Sequence, residues 1–125
     1  MVSEKDYKIL IVDDHIQTAV YLSNMLEYEG FKTFQAYDRD DAVKLVHEQK
    51  PDLILLDLAL HKTTGFEVAK QLPQEKIMLM TGYNLEAGTI SKFKNIVEIM
   101  PKPIDILVLK EKIRNVLRLP KKKEI

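Results

Sequence analysis

The sequence predicts an open α/β domain, a doubly wound parallel sheet of five strands alternating with five helices. Three observations lead there. Ile9-Leu10-Ile11-Val12, Leu53-Ile54-Leu55-Leu56 and Ile77-Met78-Leu79-Met80 are apolar runs without alternation, the pattern of strands buried on both faces. Each run ends abruptly in polar groups: Asp13-Asp14, Asp57 and Thr81-Gly82. Between them, apolar residues recur at helical spacing, and strand-helix alternation with right-handed crossovers gives a parallel sheet covered on both sides.

Each element has its own warrant, taken in chain order. After the first strand, Ala19, Leu22 and Leu26 mark a helix that stops at Gly30. The second strand, over 31–37, is interrupted by Lys32 and Gln35. Asp38-Arg39-Asp40-Asp41 supplies a capping carboxylate and favourable first-turn charge for a helix carrying Ala42, Leu45 and Val46, which ends at Lys50-Pro51. The third strand is Leu53 through Asp57. Phe66, Ala69 and Leu72 form the next helical stripe, up to Pro73, ahead of the fourth strand. Over 84–93, Gly88 and Thr89 lower helix propensity and the spacing of Leu85, Ile90 and Phe93 is poor, so a short, loose helix is expected. The fifth strand, Ile96-Val97-Glu98-Ile99-Met100, carries a charge in mid-run. The last helix, 105–118, places Ile106, Leu109, Ile113, Val116 and Leu117 on one face, with Leu107 and Val108 off that stripe. The two interrupted strands belong at the edges, which gives the flavodoxin-like order 2-1-3-4-5 and a ligand crevice beside strands one and three.

The 125 residues suit one domain, residues 1–125, with a core of about 7–118 and a short basic tail over 119–125. Nineteen Lys and Arg balance nineteen Asp and Glu, which argues against direct nucleic-acid binding by a global field. No apolar run reaches the length of a membrane span, and Met1-Val2-Ser3-Glu4-Lys5-Asp6 lacks a signal-peptide core, so a cytoplasmic chain is expected. Cysteine is absent, which excludes disulfides and thiolate metal sites. His15, His47 and His61 show no helical metal spacing and receive no role.

In that topology Asp13, Asp14 and Asp57 converge at one rim. Three crowded carboxylates raise one another's pKa unless they share a cation. Hard oxygen ligands suit Mg²⁺, which takes a few carboxylates together with waters and phosphate oxygens. Asp57 can then attack phosphorus as a nucleophile, giving an aspartyl phosphate. Thr81, at the end of the fourth strand, can donate its hydroxyl to a phosphoryl oxygen, and Lys102, after the fifth, can bring an ammonium. Gly82 leaves the backbone room beside them. Pro103 follows Lys102, and a cis bond there is accessible at about 0.5 to 1 kcal/mol.

These marks, in this order, resemble the receiver domain of two-component response regulators, over residues 7 to 118. The resemblance implies phosphoryl transfer from a sensor histidine kinase or phosphotransfer protein to Asp57. It implies Mg²⁺ held by Asp13, Asp14, Asp57 and the Ala59 backbone carbonyl. Thr81 and Lys102 would read the phosphoryl group and move the loop after strand four, signalling to a downstream protein. Three departures stand out: Ile99 where the family usually has an aromatic residue, Met100-Pro101 before the lysine, and Phe93-Lys94-Asn95 in place of a Gly-Ala pair. Ala59 and Tyr83 flank the path of hydrolytic water and are expected to set the lifetime of the phosphoaspartate. A weak homodimer through the helix 4, strand 5 and helix 5 face is a further expectation, and a chain with no effector region after its receiver core suggests a shuttle or phosphorelay intermediate.

Two other readings compete. A pseudo-receiver would keep the fold as a binding module without phosphorylation, which Ile99 favours and the intact Asp13, Asp14, Asp57, Thr81 and Lys102 set oppose. A haloacid-dehalogenase-like phosphatase would share the nucleophilic aspartate, hydroxyl, lysine and Mg²⁺. Its chain order differs, with the nucleophile on the first motif strand and a second acid two residues on, where this chain has Leu58-Ala59.

Overall fold

The computed structural model describes residues 7–120; the chain ends, including the basic Lys121-Lys122-Lys123 run and the first six residues, lie outside the described residues. Strands and helices alternate strictly: β1 (Lys8–Val12), α1 (Ile16–Tyr28), β2 (Lys32–Ala36), α2 (Arg39–Gln49), β3 (Leu53–Asp57), α3 (Gly65–Gln71), β4 (Ile77–Thr81), α4 (Ala87–Ile90), β5 (Ile96–Pro101) and α5 (Ile106–Val116). All neighbouring strands are parallel, in the order β2-β1-β3-β4-β5. The interrupted strands β2 and β5 are indeed the edges.

The unalternating runs are explained by cover on both faces. Ile9, Ile11, Leu53, Leu55, Met78 and Met80 point to one side and pack with Ala19, Leu22 and Leu26 of α1 and Leu109 and Ile113 of α5. Leu10, Val12, Ile54, Leu56 and Leu79 point to the other, against Ala42 and Val46 of α2 and Val68 and Ala69 of α3. Every residue of β3 and β4 is buried. With about 1.5–3 kcal/mol typical for each fully buried large aliphatic side chain, these two strands contribute heavily to the apolar stabilisation and fix the position of whatever follows them.

Local chemistry sets the helix limits. Asp38 accepts the Asp41 backbone N–H at 2.8 Å, as its position in the sequence suggests, and α2 ends where Lys50 turns left-handed (φ 50°, ψ 62°) ahead of Pro51. Thr64 caps α3 by accepting from Glu67, and Asp105 caps α5 by accepting from Leu107 and Val108. After α1 the chain turns through Gly30 at φ 106°.

Two expectations shift. The loose helix expected over 84–93 is one turn only, Ala87–Ile90, with none of its residues buried; Leu85, Ile90 and Phe93 rest half-buried on the core, Phe93 stacking on Phe66 with centroids 5.2 Å apart. Thr81 closes the fourth strand as expected, while the strand expected to end at Met100 continues through Pro101. Thr81 therefore pairs with Pro101, and the Lys102 N–H donates to the Thr81 carbonyl at 2.8 Å. Leu107 and Val108 are exposed, as their place off the α5 stripe suggested.

Candidate functional site

The carboxyl ends of β1, β3 and β4 form the rim. Asp57 is the last residue of β3 and is only 2% exposed. Its Oδ1 accepts from Lys102 Nζ at 2.9 Å and from the Ala59 N–H at 3.3 Å. Both contacts fall on one oxygen, and among the described residues Oδ2 has no hydrogen-bond partner. The Lys102–Pro103 bond is cis, and Lys102 reaches Asp57 from the end of an edge strand across β4.

Asp13 follows β1 directly and is 1% exposed, so it is neither a solvated strand end nor a surface cap. Its backbone N–H donates to the Ala36 carbonyl, and its Oδ1 accepts the His15 N–H at 2.9 Å. Asp13 Oδ2 and Asp14 Oδ1 are buried without a hydrogen-bond partner. Burial pushes the Asp13 carboxyl above its ordinary pKa. The Asp57 charge adds to that push, while the His15 N–H, Lys102 and the His15 side chain act against it. Buried acceptors without donors are costly unless a ligand satisfies them. Two such carboxylate oxygens beside a third buried acid fit a hard divalent cation.

Thr81 is 3% exposed, and its Oγ1 accepts the Tyr83 N–H at 3.0 Å. The hydroxyl is thus tied to the start of the β4–α4 loop. Tyr83 itself is largely exposed.

Gly65 and His15, to which the sequence assigned no role, belong here too. Gly82 is not where space is tight, since a Cβ there would meet only Lys102 Cβ at 3.9 Å. The tight glycine is Gly65, at the start of α3: a Cβ would stand 2.8 Å from the Asp57 carbonyl oxygen and 3.0 Å from Leu58 Cα, and its N–H donates to the Leu58 carbonyl. The only hint in the sequence was a glycine opening a helix that a threonine caps. His15, given no role, is exposed as expected, yet its ring nitrogen lies with the Asp13 and Asp14 carboxylates in a group whose ligand atoms are all within 4.8 Å of one another. Asp57 is not in that group; its Oδ1 is engaged by Lys102. An open depression of about 670 Å³ adjoins it, lined in part by Asp14, His15, Arg39 and His61.

A doubly wound sheet with buried acids, a lysine and a hydroxyl gathered at its carboxyl rim defines a domain whose ligand chemistry sits at the topological switch point. Residues 9–114 match the family model of the response regulator receiver domain, and the chain belongs to that family. It is 31% identical over 118 residues to sporulation initiation phosphotransferase F of Bacillus subtilis, covering 90% of this chain and 94% of that one. It is 45% identical over 71 residues to the alkaline phosphatase synthesis transcriptional regulatory protein PhoP of the same organism; that match takes in 57% of this chain and only 30% of the longer relative. Among solved structures, the Thermotoga maritima response regulator TrrA, in complex with Mg²⁺-BeF, superposes with a TM-score of 0.78 at 28% identity, over 88% of this chain and 98% of that one. Receiver domains are signalling domains and not conventional enzymes. Among the described residues, no helix is long and apolar enough to cross a membrane.

Proposed function

We propose that this receiver domain accepts a phosphoryl group on Asp57 and signals through the β4–α4 loop. The observation that carries the reading is the Asp57 carboxylate, buried at the end of the central strand with Lys102 on Oδ1 and no partner on Oδ2. Oδ2 attacks the phosphorus of a phosphohistidine; the new O–P bond forms as the P–N bond breaks, and the imidazole leaves with the bonding electron pair. Lys102 holds the carboxylate in place and offers positive charge to the transferring oxygens. Asp13, Asp14, Asp57 and the Ala59 backbone carbonyl would hold Mg²⁺, consistent with the orphaned acid oxygens here and with the Mg²⁺-BeF complex of the Thermotoga relative. When bound, the ion offsets the charge on the phosphoryl oxygens.

The signal starts at Thr81. Donating its hydroxyl to a phosphoryl oxygen draws the side chain toward Asp57 and away from the Tyr83 N–H it now holds at 3.0 Å. The loop that follows carries α4, a single turn with no buried residue, so little packing resists its movement. Ile99 lies half-buried against the same core cluster as Leu85 and Ile90 and adapts by repacking, with no aromatic ring to rotate. Ala59 and Tyr83, both exposed beside the rim, are placed to govern access of water to the phosphoaspartate. The donor is a histidine kinase or a phosphotransfer protein, in keeping with the phosphotransferase relative.

Incubation with acetyl phosphate and Mg²⁺ tests the reading. Intact-mass spectrometry is expected to show one phosphoryl adduct, absent in Asp57→Asn. Release of many equivalents of phosphate from a phosphomonoester would instead mark a phosphatase, and no adduct at all would mark a binding module.

A further inference from the structure

We infer that His15 is a metal-ligating residue, so that the acidic rim accepts imidazole-binding first-row cations such as Co²⁺ and Ni²⁺ with an affinity that oxygen ligands alone would not give. The inference rests on the reading that Asp13 and Asp14 hold a divalent cation.

The geometry begins in the backbone. His15 is the residue before the first turn of α1, in extended conformation (φ −83°, ψ 103°), and its side chain caps nothing. Its N–H donates to Asp13 Oδ1, which folds the residue back over the acid. Nδ1 then lies 3.6 Å from Asp14 Oδ1 and 3.9 Å from Asp13 Oδ1. These separations are too long for hydrogen bonds. They fall between the two separations of ligands around a common ion: with bonds of about 2.1 Å, octahedral neighbours stand about 3 Å apart and opposite ligands about 4.2 Å, so a small rotation of the ring brings Nδ1 into either relation. The imidazole is 81% exposed and free to make the remaining adjustment.

Independent of the cluster's proximity, the acids themselves ask for a ligand. Asp13 is almost wholly buried with Oδ2 unpartnered, and Asp14 Oδ1 is buried and unpartnered beside it. Magnesium satisfies them through oxygen and gains little from a ring nitrogen, whereas Co²⁺ and Ni²⁺ bind imidazole well. The adjoining depression leaves room for coordinated water. The plainer alternative is a solvated histidine attracted to two acids, and it makes a different prediction: no cation would depend on the ring.

Calorimetric titration of the whole chain with MgCl₂ and with CoCl₂ separates the two. In His15→Ala, Co²⁺ affinity is expected to fall about tenfold or more, with Mg²⁺ affinity changed by less than about twofold. Cobalt-shifted imidazole proton resonances are expected in the native protein and in His61→Ala, and their loss in His15→Ala. Unchanged Co²⁺ affinity in His15→Ala, or equal losses for both ions, overturns the role of His15 while leaving the acidic site intact. Failure of the native protein to bind either ion overturns both that site and this inference.

Discussion

The rim at the ends of β1, β3 and β4 and the face formed by α4 and β5 are neighbours with opposite physical characters. At the rim, Asp13, Asp57 and Thr81 are all at most 3% exposed; Asp57 and Thr81 end strands with every residue buried, and Asp13 follows β1, which is buried from Ile9 to Val12. On the other face, α4 has no buried residue, β5 is an edge strand, and Tyr83 and Val97 are exposed. Transfer to a carboxylate needs atoms held to fractions of an ångström. Passing on a signal needs an element that moves at modest cost. In the proposed function the two demands would be met on either side of β4, with Thr81 ending that strand and its hydroxyl tied to the Tyr83 N–H of the following loop.

Core truncation should show the largest contrast. Leu55→Ala, in the middle of β3, is expected to cost about 2–5 kcal/mol, while Ile90→Ala in α4 is expected to cost less than about 1 kcal/mol. Urea unfolding of the two variants checks this. Similar losses would mean that α4 is as firmly held as the central strand, and the contrast would fail.

Gly65→Ala probes how the rim is held in place. A Cβ 2.8 Å from the Asp57 carbonyl oxygen forces α3 or the end of β3 to shift; a loss of about 1–3 kcal/mol is expected. Lower Mg²⁺ affinity should accompany it, because the β3–α3 loop carries Ala59. Gly82→Ala, where the added carbon meets only ordinary contact, should leave Mg²⁺ affinity unchanged. Equal effects of the two substitutions would remove Gly65 from the account.

The smallest effect concerns charge at the rim. Because burial raises the Asp13 pKa, its ionised form opposes folding when no cation is present. Asp13→Asn should therefore stabilise the metal-free protein by about 1 kcal/mol near neutrality. The sign follows from linkage: Asp13 contributes stability fully below its ordinary value of 3.8 and loses it as pH rises through the raised value. The advantage of the variant should shrink as pH falls, and saturating Mg²⁺ should reverse it. Urea melts across that range measure it; an advantage that does not vary with pH would contradict the assignment.

The same contrast governs how much could be read from the sequence. Leu53 to Asp57 and Ile9 to Asp14 announced buried strands with acids at their ends because periodicity and termination are local properties of the chain. The short α4 was legible too, from Gly88, Thr89 and the poor apolar spacing. What could not be read were relations between distant segments. Gly65 against the Asp57 carbonyl, the continuation of β5 into a Thr81–Pro101 pair, and the hydroxyl of Thr81 tied to the Tyr83 N–H all depend on how distant or successive segments come together in the fold. His15 was set aside because its spacing to the other histidines carries no motif; its partners are carboxylates one and two residues away, brought together by the turn out of β1.

The central claim is that Asp57 is a phosphoacceptor whose chemistry is fixed by the rim. Intact-mass spectrometry after acetyl phosphate and Mg²⁺ tests it most directly. The account predicts a single phosphoryl adduct that disappears in Asp57→Asn and when Mg²⁺ is chelated before the donor is added. An adduct that persists in Asp57→Asn, or none in the native protein, would contradict it.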